Sequence, residues 1–230
     1  MRMSEAVART GPMAADPSLF ALLDALADVA RGMHPSRLGD LAASVQPLAQ
    51  AVRSAGRDRF GAPVQPAADL ALQACDGLQA AAVGQQPVRD AYRAMRSYSH
   101  ALDALIAAEQ LPEVSRHLLP ADLRGNACVL NRLQAPPHPQ SGVRHSANDT
   151  RQRGGFSVYV PPWYDPARLW PVVMALHGGA GHGRLFLTNW VPRARAQGVI
   201  VIAPTAIGDT ATEDRSAILS GNGGDTTRWP

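Results

Sequence analysis

The stretch Pro171-Val-Val-Met-Ala-Leu-His-Gly-Gly-Ala-Gly-His-Gly183 determines how this sequence is interpreted. Pro171 cannot donate a ladder hydrogen bond, and it suits the first residue of a strand. Val172 to Leu176 form a short apolar run, which predicts a strand buried on both faces. The glycines that follow directly indicate backbone that turns sharply or lies against a ligand.

A second apolar run, Val199 to Ala203, follows after about one helix of sequence. The order of strand, glycine turn, helix and strand is that of a βαβ unit, and it predicts a parallel sheet. The intervening helix is expected from about Arg184 to Gln197. Pro192 favours a kink in it, or a start nearer Val191.

The glycine turn is the candidate site. It lacks the Lys-Ser/Thr pair of a phosphate-binding P-loop, and Arg184 stands where a dinucleotide fingerprint requires its third glycine. Backbone N–H groups of such a turn can instead stabilise an oxyanion above the sheet. A tight loop without chemistry is the alternative, and the glycines alone leave both interpretations open.

Three segments around this turn resemble a known family. They are Gly155-Phe-Ser-Val-Tyr-Val-Pro-Pro-Trp-Tyr-Asp-Pro166, Trp170 to Gly179, and Gly198-Val-Ile-Val-Ile-Ala-Pro204. Together they resemble the opening of an α/β-hydrolase of the carboxylesterase/phospholipase branch, close to polyester-depolymerase-like esterases. The resemblance covers roughly residues 153 to 209.

The resemblance implies a serine esterase acting on a small-molecule or lipid-like ester, without a cofactor or metal. It implies oxyanion donors at the backbone N–H of Gly179, with Gly178 or Ala180, and a supporting role for His177, which closes the strand and orients the loop. It also implies strand order 1-2-4-3-5, in which the strand Val172–Leu176 becomes an open edge if the fifth strand is missing.

The catalytic residues of that family are not found in this chain. No serine lies in a Gly-x-Ser-x-Gly elbow, and Ser157, the nearest candidate, belongs to an early strand. By the resemblance, the acid and base would follow residue 230, so His182 and the late aspartates Asp209, Asp214 and Asp225 cannot take those roles. We therefore interpret the chain as an inactive front part of a hydrolase. The alternative is a non-catalytic helical interaction protein with a degenerate hydrolase remnant.

Composition places the chain among globular proteins and excludes several classes. Hydrophobic residues make up 46% and charged residues 18% of the 230 residues, enough for a sizeable core. The net charge of +3 comes from scattered arginines, which argues against a nucleic-acid surface. The two cysteines, Cys75 and Cys128, predict neither a disulfide framework nor a zinc site. No signal peptide or transmembrane segment is evident, so a cytoplasmic location is expected. The oligomeric state is left open.

The N-terminal half predicts a helical bundle. Residues 1–15 are expected to be a disordered tail, and Asp16-Pro17 to begin a helix that ends near Gly32. Further helices are expected from Leu38 to Val52, with Pro47 kinking or splitting the helix, then from about Pro66 to Gly84 and from Val88 to Glu109. The single histidines His34, His100 and His117 are interpreted as surface or packing residues.

The predicted organisation is thus an α/β protein: a helical domain over 16–125, a linker or first strand over 126–152, and the truncated hydrolase sheet over 153–230. The candidates for a short helix and then that first strand are Leu118, Leu119, Val129, Leu130 and Leu133. The proline- and glycine-rich residues 135–155 are expected to be a polar loop.

Overall fold

The computed structural model describes residues 17–56, 60–178 and 181–208. The predicted disordered tail, the Asp16 cap and the polar segment 209–230 lie outside these residues. The described chain contains eight α-helices and one four-stranded mixed sheet. It forms two compact units, and the chain passes from the first to the second between His117 and Leu118. The sequence predicts that the helical domain ends at residue 125 and that the boundary lies near 126–150.

The first unit is helical. It contains α1 (Pro17–Gly32), α2 (Leu38–Ala55), α3 (Gly61–Val83), α4 (Pro87–Ile106) and α5 (Pro112–His117), with a 3₁₀ turn at Pro35–Arg37. The apolar stripe of α1 is buried, as helical spacing requires. Helices α3 and α4 pack very closely, because a Cβ on Gly77 would lie 2.7 Å from Cβ of Ala94.

Two prolines lie inside these helices without ending them. Pro47 was expected to kink or split α2, yet the helix continues from Leu38 to Ala55. Pro47 and Ala43, four residues before it, are both exposed, so water can bond the carbonyl that lacks an N–H partner. The opposite face buries Val45 and Ala49, and this packing outweighs the loss of one hydrogen bond. Helix α3 likewise begins at Gly61, before the predicted start at Pro66.

The second unit opens with helix α6 (Ala127–Leu133), which follows a 3₁₀ turn at Ala121–Leu123. Of the residues expected to form a short helix and then the first strand, Val129, Leu130 and Leu133 lie in the helix, and the first strand begins only at Gly142. Asn126 caps this helix, its Oδ1 accepting from the Val129 N–H at 3.2 Å. Leu130 and Leu133 pack against a small core formed by Leu119, Val129 and Ala196.

The sheet consists of β1 (Gly142–Ser146), β2 (Phe156–Val160), β3 (Val172–Met174) and β4 (Ile200–Pro204). Strand β1 falls within the residues predicted as a polar loop, although inside the range 126–152 given for a linker or first strand. The strand order is β1-β2-β4-β3. Strand β2 pairs antiparallel with both β1 and β4, whereas β3 and β4 are parallel. The prediction of a parallel sheet therefore holds only for β3 and β4.

The helix predicted over 184–197 is divided in two. Helix α7 runs from Gly183 to Leu187 and α8 from Val191 to Gln197, with Pro192 in the first turn of α8. Both helices contact β4, and α7 also contacts β2. The sheet side chains on this side are buried, among them Tyr159 and Val201.

Strand β3 is an edge strand of the described sheet. Val172, Met174 and Leu176 are exposed, whereas Ala175 is buried. The apolar run predicted a strand buried on both faces, and this prediction is wrong. The alternating burial follows from the position of β3 at the edge of the described sheet, with α7 and α8 packed on one of its faces.

Candidate functional site

The glycine turn lies at the carboxyl end of β3. The Ala175 N–H donates to the Ile202 carbonyl at 2.8 Å, which extends the pairing with β4 up to the turn. The Gly181 N–H donates to the Gly178 carbonyl at 2.9 Å and closes the turn. Gly178 is exposed, and its own N–H makes no hydrogen bond within the described residues. Gly179 and Ala180, the other two candidate oxyanion donors, lie outside the described residues.

Two of the glycines are required by close backbone approach. A Cβ on Gly183 would lie 2.4 Å from the Ala203 carbonyl oxygen and 2.6 Å from that of Pro204. A Cβ on Gly181 would lie 2.8 Å from the Gly178 carbonyl oxygen. Contacts this short exclude any side chain, so these glycines let the start of α7 approach the end of β4. Gly178 is different, because a Cβ there would meet open space.

His177 connects the ends of the two parallel strands. Its Nε2 accepts from the Ala206 N–H at 3.2 Å, and its Nδ1 lies 3.4 Å from the Gly178 carbonyl oxygen. Burial lowers the pKa of His177, and the positive charge of Arg153 lowers it further, against a raising effect of the Gly178 carbonyl. The imidazole is therefore neutral with its proton on Nδ1. In this arrangement Nε2 is not available as a general base.

His182 has a structural role at the start of α7. Its Nδ1 accepts from the Arg184 N–H at 3.2 Å, which caps the helix. Its Nε2 then carries the proton and lies 3.1 Å from the carbonyl oxygens of both Asp149 and Gln152. Both ring nitrogens are thus occupied by backbone groups.

Arg153 brings a positive charge to the turn. Its guanidinium donates to the Gly181 carbonyl at 2.6 Å and to the Gly208 carbonyl at 3.0 Å. It therefore ties the glycine turn to the chain that leaves β4. No sequence pattern predicts this contact, since Arg153 lies in a predicted loop far from the turn along the chain.

A buried polar network lies beneath the turn. The Asn148 amide is oriented with its Oδ1 toward Ser157, accepting from Oγ at 2.8 Å and from the backbone N–H at 3.1 Å. Its Nδ2 donates to Thr205 Oγ1 at 2.6 Å and to the Gly154 carbonyl at 3.3 Å. Thr205 Oγ1 also accepts from the Gly183 N–H at 2.9 Å. The network thus joins β2, the end of β4 and the start of α7.

Ser157 is a member of this network and not an accessible nucleophile. The residue is 0% exposed. His145 Nδ1 lies 2.7 Å from its Oγ, in a cross-strand pair of β1 and β2. A nucleophile must reach a substrate carbonyl, which this buried hydroxyl cannot do. Asn148, Thr205 and His145 were not singled out from the sequence, and Asn148 gave no signal because it lies in the predicted loop.

The other residues considered from the sequence are not part of the glycine turn. Asp209, Asp214 and Asp225 lie outside the described residues. His34 caps the 3₁₀ turn after α1, and the His117 ring stacks on Phe20 with centroids 4.6 Å apart. Cys75 is buried and burial raises its pKa to about 11, while Cys128 is exposed. Within the described ranges, no three His, Cys, Asp or Glu side chains are grouped so that they could hold a metal ion.

Helix length and hydropathy bear on membrane insertion. None of the helices in the described part of the chain is both long enough and apolar enough to cross a bilayer.

The chain was also compared with known proteins. No family model matches it, and neither a curated protein nor a solved structure is significantly similar to it.

Proposed function

We propose that the chain from residue 153 onward is the opening part of an α/β-hydrolase domain of the carboxylesterase/phospholipase type. A longer chain that carries it would hydrolyse small-molecule or lipid-like carboxylic esters by Ser-His-Asp acyl transfer. The supporting observation is a glycine turn at the carboxyl end of the parallel strand β3, in a sheet of order β1-β2-β4-β3.

The chemistry of the turn suits an oxyanion. Gly178 is exposed, its N–H has no partner within the described residues, and a side chain would meet only open space there. The Gly179 N–H is the principal donor in this proposal. Loss of one oxyanion donor typically costs about 2.7–4 kcal/mol in the reaction barrier. The neutral His177 holds the turn, consistent with a supporting and not a proton-transferring role.

The test uses the coding sequence beyond codon 230. We expect it to continue, in some reading frame, into a Gly-x-Ser-x-Gly elbow and a later histidine. The extended protein should hydrolyse p-nitrophenyl acetate or butyrate. Absence of both motifs would contradict the proposal.

In the extended protein, Gly179→Pro removes the donor N–H and should reduce turnover at least about a hundredfold with folding preserved. Gly178→Ala is the matched control, since it adds a methyl group in open space and keeps its N–H. Equal activity of the proline variant and the parent would exclude this oxyanion assignment.

A second candidate function is a non-catalytic interaction protein built on the helical unit. It is favoured by exposed apolar side chains near the α3–α4 connection, where Val83 is 88% and Tyr92 is 62% exposed. Such side chains are frequent in protein interfaces. A reading frame that ends without the hydrolase motifs would favour this function over the esterase.

A further inference from the structure

We infer that the open edge of β3 pairs with the same edge in a second copy of the 230-residue chain, which forms an antiparallel strand pair across a two-fold axis. This inference goes beyond the proposed function and does not depend on it. In a longer hydrolase chain, the next strand would occupy the same edge. The dimer is therefore inferred for the chain of 230 residues.

The backbone register shows which groups the edge offers. The Pro171 carbonyl accepts from the Ile200 N–H at 2.9 Å, and the Ala175 N–H donates to the Ile202 carbonyl at 2.8 Å. Residues 171, 173 and 175 therefore direct their backbone groups toward β4. The N–H and C=O groups of Val172, Met174 and Leu176 point the other way, and they have no partner within the described residues.

The side chains of the same three residues are exposed and could contact a second chain. Val172, Met174 and Leu176 are 58%, 63% and 66% exposed, and they lie on the sheet face opposite to α7 and α8. Residues 171–176 carry no charge. Leu169, just before the strand, is fully exposed and extends the apolar surface. The strand β3 is short, Val172–Met174, but its edge is apolar and carries no charge, and charged residues are what discourage an edge strand from pairing with another chain.

The other edge of the sheet provides a contrast within the same molecule. Strand β1, the other edge strand, carries the charged and exposed Arg144. Charged side chains on an edge strand discourage pairing with another chain. The sheet thus has one protected edge and one unprotected edge, which restricts pairing to β3.

The chemistry of the edge determines the kind of occupant. A lipid tail cannot satisfy the free backbone groups, so the occupant has to supply a row of N–H and C=O groups, as a strand does. The β3 edge is complementary to itself in this respect. With Met174 opposite Met174 of the second copy, Val172 lies opposite Leu176, and all three outward residues form hydrogen-bonded pairs.

This register gives hydrogen-bond partners to the outward backbone groups and brings the exposed apolar side chains of the two copies into contact. Each hydrogen-bonded antiparallel pair exchanges two bonds, which gives about six across the two-fold axis. The same pairing brings together Val172, Met174 and Leu176 of both copies on one face of a continuous sheet. No like charges meet, because the segment has none.

The experiment measures the mass of the purified 230-residue chain by light scattering and sedimentation equilibrium over a wide concentration range. We expect a reversible monomer–dimer equilibrium. Met174→Lys places two ammonium groups opposite each other, and Met174→Pro removes an N–H that points away from β4. Each variant should raise the dimer dissociation constant at least about tenfold.

Val83→Lys is the control, because it introduces the same charge at an apolar residue of the helical unit that is more exposed than Met174, and it should leave the dimer intact. Circular dichroism and thermal melts establish that each variant is folded. Cross-linking then tests the register: Met174→Cys, in a Cys128→Ser background, should form a disulfide-linked dimer under mild oxidation. Paired Cα atoms on the axis are about 5.5 Å apart, within the range that a disulfide spans.

Three results would overturn the inference. They are a chain that stays monomeric at all concentrations, a dimer that survives both Met174 variants, and a failure of Met174→Cys to cross-link where Val83→Cys does. None of these results bears on the proposed ester hydrolysis. Conversely, a reading frame without hydrolase motifs contradicts the proposed function but does not contradict the dimer.

Discussion

At the scale of single residues, the turn between β3 and α7 depends on backbone contacts that leave no room for a side chain. Gly183 lies against the carbonyls of Ala203 and Pro204, and its N–H is held by Thr205. These contacts fix where helix α7 starts relative to β4. A side chain at Gly183 would overlap backbone atoms, whereas a side chain at Gly178 would meet open space. The same alanine substitution at the two positions can therefore be compared directly.

Gly183→Ala should destabilise the protein by about 1–3 kcal/mol, because the added methyl group overlaps backbone atoms that cannot move aside cheaply. Gly178→Ala should change stability by less than about 0.5 kcal/mol, since its methyl group meets open space. Urea denaturation of both variants and the parent measures the difference. Equal midpoints for the two variants would show that α7 does not pack on β4 this closely.

His177 makes stability depend on pH in a defined direction. Its pKa in the folded protein is below the ordinary value of 6.5, so the unfolded chain binds a proton more readily than the folded one. The stabilisation from the neutral imidazole is fully present above 6.5 and is lost as pH falls through the folded-state pKa.

The variant His177→Gln keeps a hydrogen-bond acceptor but does not titrate. Thermal melts from about pH 7.5 to about pH 5 should show a smaller loss of stability in this variant than in the parent. Comparing the two proteins cancels the contribution of all other titrating groups. Parallel curves for the two proteins would mean that His177 is not held neutral by its surroundings.

The sequence predicted the members of the site that adjoin the glycine turn, but not the residues that support it. His177 and Gly178 could be identified because they follow an apolar run directly. Asn148 and Arg153 could not, because they come from a polar segment whose relation to the turn arises only when β1 and β2 pair. The position of Thr205 could be predicted, because it directly follows the strand β4. Its hydrogen bonds to Gly183 and Asn148 could not be predicted from the sequence.

At the scale of secondary structure, helices were predicted more reliably than strands. Helices α1 and α4 begin and end within a few residues of their predicted limits, because their apolar residues recur at helical spacing over many turns. Strand β1 has no such pattern, since only its first residue is buried. The segment Val129 to Leu133 is short and apolar, and its helix depends on the Asn126 cap, which periodicity does not reveal.

We expect residues 17–117 to fold without the rest of the chain. Their buried residues are contributed by helices close in sequence, such as the tightly packed pair α3 and α4, so the contacts are local. A fragment of these residues should give a helical circular dichroism spectrum and a cooperative thermal transition. A random-coil spectrum would mean that the helices require the second unit for their packing.

At the scale of the whole molecule, the described residues leave the apolar edge of β3 without a neighbouring strand. The helical unit buries its apolar stripes, whereas β3 leaves apolar side chains and backbone groups open at the sheet edge. The sequence predicted this open edge from the strand order that the resemblance implies. The observed order β1-β2-β4-β3 has β3 in that position. The sequence did not predict that the first two strands would be antiparallel to their neighbours.

The 230-residue chain itself should have no esterase activity. A turn of glycines can stabilise an oxyanion only after a nucleophile has attacked the carbonyl, and no serine of this chain lies in a Gly-x-Ser-x-Gly elbow. Ser157, the nearest candidate by sequence, is buried and bonded to Asn148, and the Nε2 of His177 is occupied by the Ala206 N–H. Hydrolysis of p-nitrophenyl acetate and butyrate should therefore equal that of buffer, and a fluorophosphonate probe should label no serine. Stoichiometric labelling together with turnover above buffer would show that a nucleophile exists elsewhere in the chain. The labelled peptide would then identify it.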